Sequence, residues 1–275
     1  MQKFLTDMHS HTTYSHDGRN TPEEMLSAAL KKGIAFYGVS EHFDYDYDLL
    51  QLPEEELRAI QKSDPDKYFH ALRHLQEDYE GVMNVAVGAE FGFSEKEEVK
   101  ERYLETYERY RPDYVINSVH GGDGKDFYRY EFKEDKQTVY RMYLRLVRES
   151  LDVPYPYDIV GHLGYIARYV PFEDNTLSLE EFGKEIDDIL LTIIRKNKIL
   201  EVNSANKNLA NRTLPAEPIL VRYFELGGRN VSFGSDAHLV ERIGDKWEEV
   251  VSMLKKIGFT HLTVPFRGEY YKVEL

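Results

Sequence analysis

The chain contains no cysteine among its 275 residues. Disulfide bonds, thiolate metal ligands and a cysteine nucleophile are therefore excluded. Any metal ion bound by this protein has to sit on nitrogen and oxygen ligands, and such a ligand set suits zinc, iron or manganese.

Long apolar segments and an excess of positive charge are also missing. No run approaches the roughly 18 apolar residues of a membrane span, and residues 1–7 lack the long apolar region of a signal peptide. The formal net charge is −14, which argues against nucleic acid as partner, because affinity for its backbone comes from lysine and arginine. These absences predict a cytoplasmic enzyme with a small substrate. That substrate can still be an anion, because bound cations can invert the polarity of a site.

The glycine-rich loops of nucleotide-binding folds are absent too, since neither G-x-G-x-x-G after the first strand nor a P-loop lysine motif occurs. The chain instead carries seven short apolar runs, each followed by a polar residue: 4–8, 34–40, 82–87, 114–119, 157–160, 198–202 and 230–233. Helical patterns lie between and after these runs, at 21–32, 53–59, 65–79, 96–110, 135–149, 178–196, 215–226 and 245–256. A last apolar run, 262–265, comes near the end.

Strands that alternate with helices predict βαβ units and a parallel sheet. Seven or eight such units in a chain of this length predict a closed barrel near the size of the (β/α)₈ fold. We therefore predict an α/β protein with one TIM-like barrel domain over residues 1–275. A helical insertion is expected around 44–81, because that segment is long for a single crossover.

Ligand-type residues are concentrated at the predicted strand ends, where barrel enzymes carry their active sites. Seven of the ten histidines lie at or just past such an end. The candidate ligands are His9, His11, His16, His42, Glu90, His120, His162, Asp236 and His238. His9 and His11 form a His-x-His pair, whose side chains share one face of a strand.

The other three histidines are expected to have different roles. His70 and His74 have the i, i+4 spacing that can chelate a metal on a helix, but they lie in the predicted insertion, and a solvated helix face is the preferred interpretation. His261 precedes the last apolar run, and we expect it to be structural.

Nine candidate ligands are more than one zinc ion uses, since such an ion takes about three or four protein ligands. They match two or three ions with bridging carboxylates. Two ions about 3.5–4 Å apart can share a hydroxide and clamp a phosphoryl group during in-line displacement. The ligand set therefore predicts a metal-dependent phosphoesterase.

The motifs that carry these residues also resemble a known family. In order they are His9-x-His11, His16-Asp17, Glu41-His42, Gly88-Ala-Glu90, Ser118-Val-His120, Gly161-His162 and Ser235-Asp236-Ala237-His238. This set resembles the PHP superfamily, which joins DNA polymerase exonuclease domains with histidinol phosphatases, over nearly the whole chain. The length and the segments 161–169 and 201–203 are most similar to the stand-alone histidinol-phosphate phosphatases.

The resemblance implies a distorted (β/α)₇ barrel with a trinuclear centre of zinc, iron or manganese at the C-terminal ends of its strands. The first ion would be held by His9, His11, Glu90 and Asp236. The second would be held by Glu90, His120 and His162, and the third by His16, His42 and His238. The implied reaction is hydrolysis of L-histidinol phosphate to L-histidinol and phosphate, late in histidine biosynthesis.

A hydroxide bridging the first two ions would be the nucleophile, while the ions and a cationic side chain spread the charge of the phosphoryl oxygens. We predict that Arg168 is this phosphate clamp, because the guanidinium fork matches phosphate oxygens. Arg212 is a second candidate. The leaving alkoxide would receive its proton from His42 or Asp236 through metal-bound water.

Further predictions concern the surroundings of these groups. Asp17 is expected to accept a hydrogen bond from a ligand histidine and to orient it. The residues expected to contact the substrate are Arg168, His42, Asn203, Arg212 and Glu41, of which Asn203 and Glu41 would face its amine and imidazole. The oligomeric state is not predicted.

Three alternatives stay open. The same chemistry could serve nucleotides, oligonucleotides or phosphotyrosine. An amidohydrolase-type deamination or amide cleavage is disfavoured, because those sites commonly bridge their metals with a lysine, whereas Glu90 stands at that position here. A non-enzymatic, metal-stabilised scaffold is disfavoured by the number of ligands, because structural zinc sites are closed by four.

Overall fold

The computed structural model describes residues 5–46, 63–122, 125–205 and 213–275. The strands are β1 (Leu5–Asp7), β2 (Ile34–Phe43), β3 (Asn84–Gly92), β4 (Tyr114–Ser118), β5 (Gly121–Gly122), β6 (Lys125–Asp126), β7 (Ile159–Val160), β8 (Ile199–Asn203), β9 (Val231–Gly234), β10 (His261–Phe266) and β11 (Glu269–Glu274). Seven of them form one parallel sheet in the order β1-β2-β3-β4-β7-β8-β9, and the other four form two separate antiparallel hairpins.

Among the described residues, six α-helices connect successive strands of this sheet, and a seventh follows its last strand. They are α1 (Pro22–Lys31), α2 (Pro65–Asp78), α3 (Glu97–Tyr110), α4 (Lys136–Ser150), α5 (Leu179–Arg195), α6 (Glu217–Glu225) and α7 (Trp247–Ile257). The start of α1 agrees with the predicted signal, because Thr21 and Glu24 form a capping box and Pro22 occupies the first helical position. Within the described residues, no helix is both long and apolar enough to cross a membrane.

Backbone hydrogen bonds between the two edges of the sheet curl it into a nearly closed barrel. The amide of Met8 donates to the carbonyl of Phe233 at 2.9 Å, and the amide of Asp236 donates to the carbonyl of His9 at 2.8 Å. The predicted distorted (β/α)₇ barrel is thereby confirmed. The closing contacts also bring the segment after β1 beside the segment after β9.

The hairpin of β10 and β11 covers the N-terminal end of the barrel. Its Val264 and Phe266 are buried in one cluster with the barrel residues Tyr114 and Ile159. The hydroxyl of Tyr270 donates to Asp158, just before β7, at 3.0 Å. The predicted final run 262–265 therefore closes the N-terminal end of the barrel, and the opposite end, formed by the C-terminal ends of the strands, remains accessible for the site.

Helix α2 packs across β2 and β3. The buried hydroxyl of Tyr68 donates to the carbonyls of Val39 and Gly88 at 2.9 and 2.7 Å, so α2 is the crossover helix of this βαβ unit. Residues 47–62, with the predicted helix 53–59, lie outside the described residues. The single-domain organisation with an insertion around 44–81 stays a prediction.

Two strands are longer than the apolar runs that predicted them. β2 continues through Glu41 and His42, and β3 continues through Glu90, with His42 paired to Glu90 in the ladder. The ladder extends because buried backbone groups need hydrogen-bond partners even where the side chains are polar. This register sets His42 and Glu90 side by side at the C-terminal end of the barrel.

Candidate metal centre

The first group of ligand atoms comes from three strand ends. Nε2 of His9 lies 3.0 Å from Nε2 of His11, and Oε2 of Glu90 lies 3.3 and 3.5 Å from these nitrogens. Oδ1 of Asp236 is 3.8 and 3.4 Å from the same two atoms. Ligands bound to one zinc ion at about 2.1 Å stand about 3.4 Å apart in a tetrahedron. The two histidine nitrogens and the Glu90 oxygen therefore have the spacing of a single metal site, and Asp236 lies beside both histidines.

The second group uses the other oxygen of Glu90. Its Oε1 lies 3.1 Å from Nε2 of His120 and 3.0 Å from Nε2 of His162. The two histidine nitrogens are 3.4 Å apart. One carboxylate thus faces two neighbouring sets of ligands, which is the arrangement of a bridging ligand.

The atoms of Glu90 and of the histidines around it are arranged to bind a cation rather than to form hydrogen bonds with one another. Oε2 of Glu90 is buried and has no hydrogen-bond partner of acceptable geometry among the described residues, although Nδ1 of His42 lies 2.7 Å away. Buried polar atoms are rarely left unpaired, and an exception calls for an explanation such as an ion. A divalent cation between these donors would satisfy the carboxylate and the histidines together.

A third group lies on the solvent side of the first. The ring of His11 stacks against the rings of His42 and His238, at centroid distances of 4.0 and 4.4 Å, and those two rings are 5.7 Å apart. One ligand nitrogen from each of these three histidines falls within 4.8 Å of the others. A further ion could therefore be held here by His42 and His238.

The loop after β1 supplies Asp17 to this third group. Oδ2 of Asp17 is 3.1 Å from Nε2 of His238, and its Oδ1 is 3.8 Å from Nε2 of His42. The ring centroid of His16 is 5.9 Å from that of His42. Asp17 thus places a carboxylate oxygen near each of His42 and His238, so it is a further candidate ligand in this group.

Electrostatics favour the ionised carboxylates that metal binding requires. Burial by itself would raise the pKa of Glu90, but His9, His120 and His42 hold it well below its usual range. Asp236 has a lowered pKa for the same reason, because His9, His11 and His238 outweigh the effect of burial. Burial lowers the pKa of His11, whose ring is thus kept neutral and able to ligate.

Arg168 reaches the edge of the first group from a turn after His162. Its Nη2 donates to Oδ2 of Asp236 at 3.4 Å and to Oδ1 of Asn203 at 3.3 Å. Its Nε is buried and has no hydrogen-bond partner in the described part of the chain. The guanidinium is thus anchored at Nη2, and the side chain borders the cavity in which an anion could bind.

A cavity of about 490 Å³ opens above these groups. Its walls combine ligands such as His42, His162 and Asp236 with Tyr165 and Tyr169. Another cavity, of about 650 Å³, lies between α6 and α7. Among the described residues, none of the predicted site residues lines it, so the chemistry belongs to the smaller cavity.

Several predicted contacts lie elsewhere. Glu41 was expected to bind substrate, but it is fully buried and does not line the cavity. It accepts hydrogen bonds from the amide and hydroxyl of Thr12 at 2.9 and 2.6 Å and from the hydroxyl of Ser15, so it holds the loop after β1. Asn203 is also buried and contacts Arg168 and Asp236. Arg212 lies outside the described residues.

The remaining histidines take no part in the cluster. His70 and His74 lie on the exposed face of α2, with their ring centroids 4.6 Å apart. His261 begins β10 at the opposite end of the barrel.

Sequence reasoning missed two carboxylates that orient ligand histidines. Oε1 of Glu201 lies 2.6 Å from Nδ1 of His9, and Oδ1 of Asp44 lies 3.0 Å from Nδ1 of His120. Such partners fix the tautomer and the direction of a ligand imidazole. Two sequence features could have indicated them: Glu201 is an acidic residue within the buried strand Ile199–Asn203, and Asp44 is an acidic residue just past Phe43.

Comparisons with known proteins agree with this geometry. A model of the PHP domain family matches residues 7–205. A probable histidinol-phosphatase of Clostridium acetobutylicum is 30% identical over 249 residues, which are 90% of this chain and 91% of that protein. A histidinol-phosphatase of Lactococcus lactis is 26% identical, over 95% of this chain and 94% of the relative.

A solved structure gives the same fold. It is that of the histidinol phosphate phosphatase from Lactococcus lactis, complexed with zinc, L-histidinol and phosphate. It superposes with a TM-score of 0.83 at 23% identity and covers 98% of this chain and 100% of that one. With the PHP domain matched over most of its length, this chain belongs to the PHP family and, within it, to the group of histidinol-phosphatases.

Proposed function

We propose that this protein is a metal-dependent phosphomonoesterase that hydrolyses L-histidinol phosphate to L-histidinol and phosphate. The observation that carries the proposal is the double role of Glu90, whose two oxygens face two adjacent sets of ligands beside Arg168. Membership in the histidinol-phosphatase group supports the substrate.

The residues present fit three divalent ions of zinc, iron or manganese. His9, His11, Glu90 and Asp236 would hold the first, and Glu90, His120 and His162 the second. For the third we propose His42, His238 and Asp17, with His16 at the edge of the group. Divalent ions in such positions supply positive charge to phosphoryl oxygens and lower the pKa of bound water.

The protein's own groups would hold the substrate for attack. Arg168 donates from its guanidinium to the phosphoryl oxygens while Asp236 and Asn203 keep it in position. His42 and Asp236 both border the cavity, and either can relay a proton through water to the departing alkoxide. The tyrosine rings of Tyr165 and Tyr169 offer a surface for the imidazole of the substrate.

The test of the function is a comparison of substrates. Protein loaded with Mn²⁺ or Zn²⁺ is expected to turn over L-histidinol phosphate with a much higher kcat/KM than nucleoside monophosphates, a phosphotyrosine peptide or a short DNA. Released phosphate is the common readout. Similar kcat/KM values for all four would contradict the specific substrate, and a preference for one of the others would assign the site to it.

Metal content tests the third group. Asp17→Asn is expected to lose about one ion per chain, because the amide is a weaker ligand for a hard cation than the carboxylate. His16→Gln, the neighbouring variant in the same loop, is expected to keep the wild-type content. Elemental analysis of both purified proteins measures this metal content. Loss of metal from His16→Gln but not from Asp17→Asn would show that His16, and not Asp17, is a ligand of the third ion.

A further inference from the structure

Glu201 links two different metal positions through one buried carboxylate. It lies in β8 and is 1% exposed. Its Oε1 faces Nδ1 of His9, a ligand of the first group, at 2.6 Å. Its Oε2 accepts a hydrogen bond from the backbone amide of His162, a ligand of the second group, at 2.6 Å.

We propose that Glu201 is a positioning residue that preorganises the first and second metal positions together. It would fix the ring of His9 in the tautomer that ligates through Nε2 and hold the segment that carries His162. This inference rests on the proposed function, since it takes His9 and His162 to be metal ligands.

The chemistry of the two donors explains why a carboxylate is required. Nε2 of His9 points at His11 and Glu90, so it needs a free lone pair and the ring proton has to sit on Nδ1. The amide of His162 is also a donor. A carboxylate accepts from both, whereas an amide side chain offers one oxygen and one NH₂ group. A glutamine at this position would therefore either leave a donor facing a donor or force His9 into the other tautomer.

The neighbouring strand leaves room for this carboxylate. A Cβ atom added to Gly234 in β9 would lie 2.2 Å from Oε1 of Glu201 and 2.7 Å from Cβ of His9. Glycine is thus the residue that lets the carboxylate and the imidazole meet beside β9. This steric requirement is a second observation, independent of the hydrogen bonds, that the space is occupied by the Glu201–His9 pair.

Asp44 provides a contrast within the same site. It accepts a hydrogen bond from one ligand imidazole, that of His120 in the second position, and its other oxygen lies 3.9 Å from Nδ1 of His42 in the third. Glu201 touches ligands of the first and second positions, so its loss is expected to weaken two ions at once. Partners of this kind contribute about 10–100-fold to metal affinity.

The experiment measures metal release from the intact, metal-loaded protein. Wild type and Glu201→Gln are loaded with Zn²⁺ and mixed with excess EDTA, and the zinc remaining on the protein is followed with time. We expect two of the bound ions to leave Glu201→Gln about 10–100-fold faster than wild type, and the third to leave at the wild-type rate.

Asp158→Asn is the control. Asp158 lies at the opposite end of the barrel, and its two oxygens accept from the backbone amide of Val115 and the hydroxyl of Tyr270, both at 3.0 Å. Neutralising it removes a carboxylate that accepts at both oxygens, far from the ligands and from the segments that carry them. We expect a lower thermal unfolding temperature with unchanged zinc release.

Gly234→Ala provides a second route to the same disturbance if Glu201→Gln does not fold, because the added methyl group displaces the carboxylate from His9. Wild-type release rates in both variants, or equal acceleration in Asp158→Asn, would overturn the proposal. None of these measurements uses L-histidinol phosphate. A protein that shows the release pattern but does not cleave that ester would refute the proposed function and leave the role of Glu201 standing.

Discussion

Glu90→Gln is expected to remove two metal ions per chain and to lower kcat/KM for L-histidinol phosphate on the order of 10³-fold or more, since metal ions contribute several kcal/mol to such reactions. The physical reason is that the two oxygens of Glu90 face separate ligand groups. An amide offers one oxygen, so one group would face NH₂ and both would lose the negative charge.

Asp158→Asn is a suitable control for the Glu90 variant. Asp158 is a largely buried carboxylate at the opposite end of the barrel, where it accepts from the amide of Val115 and the hydroxyl of Tyr270, both at 3.0 Å. It is expected to lose stability while it keeps metal and activity. Full metal occupancy together with full activity in Glu90→Gln would rule out the bridging role.

The barrel and the location of its site could be predicted because each rests on a local pattern. Short apolar runs that end in ligand-type residues mark parallel strands, and the C-terminal ends of parallel strands meet at one end of a barrel. This reasoning brought His9, Glu90 and His162 together although they are far apart in sequence. The same reasoning left out His70 and His74, which indeed lie on an exposed helix face.

The direction of individual side chains could not be predicted, because it depends on contacts between segments distant in sequence. Glu41 and His42 are neighbours in β2, yet Glu41 turns beneath the loop of Thr12 and Ser15. Glu201 is an isolated acidic residue in an apolar strand, and its partner His9 is 192 residues away. Whether His16 or Asp17 approaches His42 and His238 depends on the conformation of the loop after β1, and no hydrophobic periodicity in the sequence predicts that conformation.

Arg168→Ala is expected to lower kcat/KM for L-histidinol phosphate about 10²–10³-fold, the cost of removing one preorganised donor from a developing charge. Metal content should stay at the wild-type value, because Arg168 contacts Asp236 through Oδ2, whereas Oδ1 of Asp236 faces the first metal position. Arg168→Lys is expected to recover little, since a lysine keeps the charge but loses the planar fork.

Arg242→Ala distinguishes a specific contact between Arg168 and phosphate from a general effect of positive charge in the cavity. Arg242 also lines the cavity, but its guanidinium is about 43% exposed and pairs with Asp245 at 2.9 Å. Its removal is expected to change kcat/KM little, because exposed ion pairs and exposed charges are well screened by solvent. Added guanidinium ion should partly restore Arg168→Ala and have no effect on Arg242→Ala. An unchanged kcat/KM in Arg168→Ala, or an equal loss in Arg242→Ala, would refute the clamp, because a specific contact between Arg168 and the phosphate has to be lost with Arg168 and kept without Arg242.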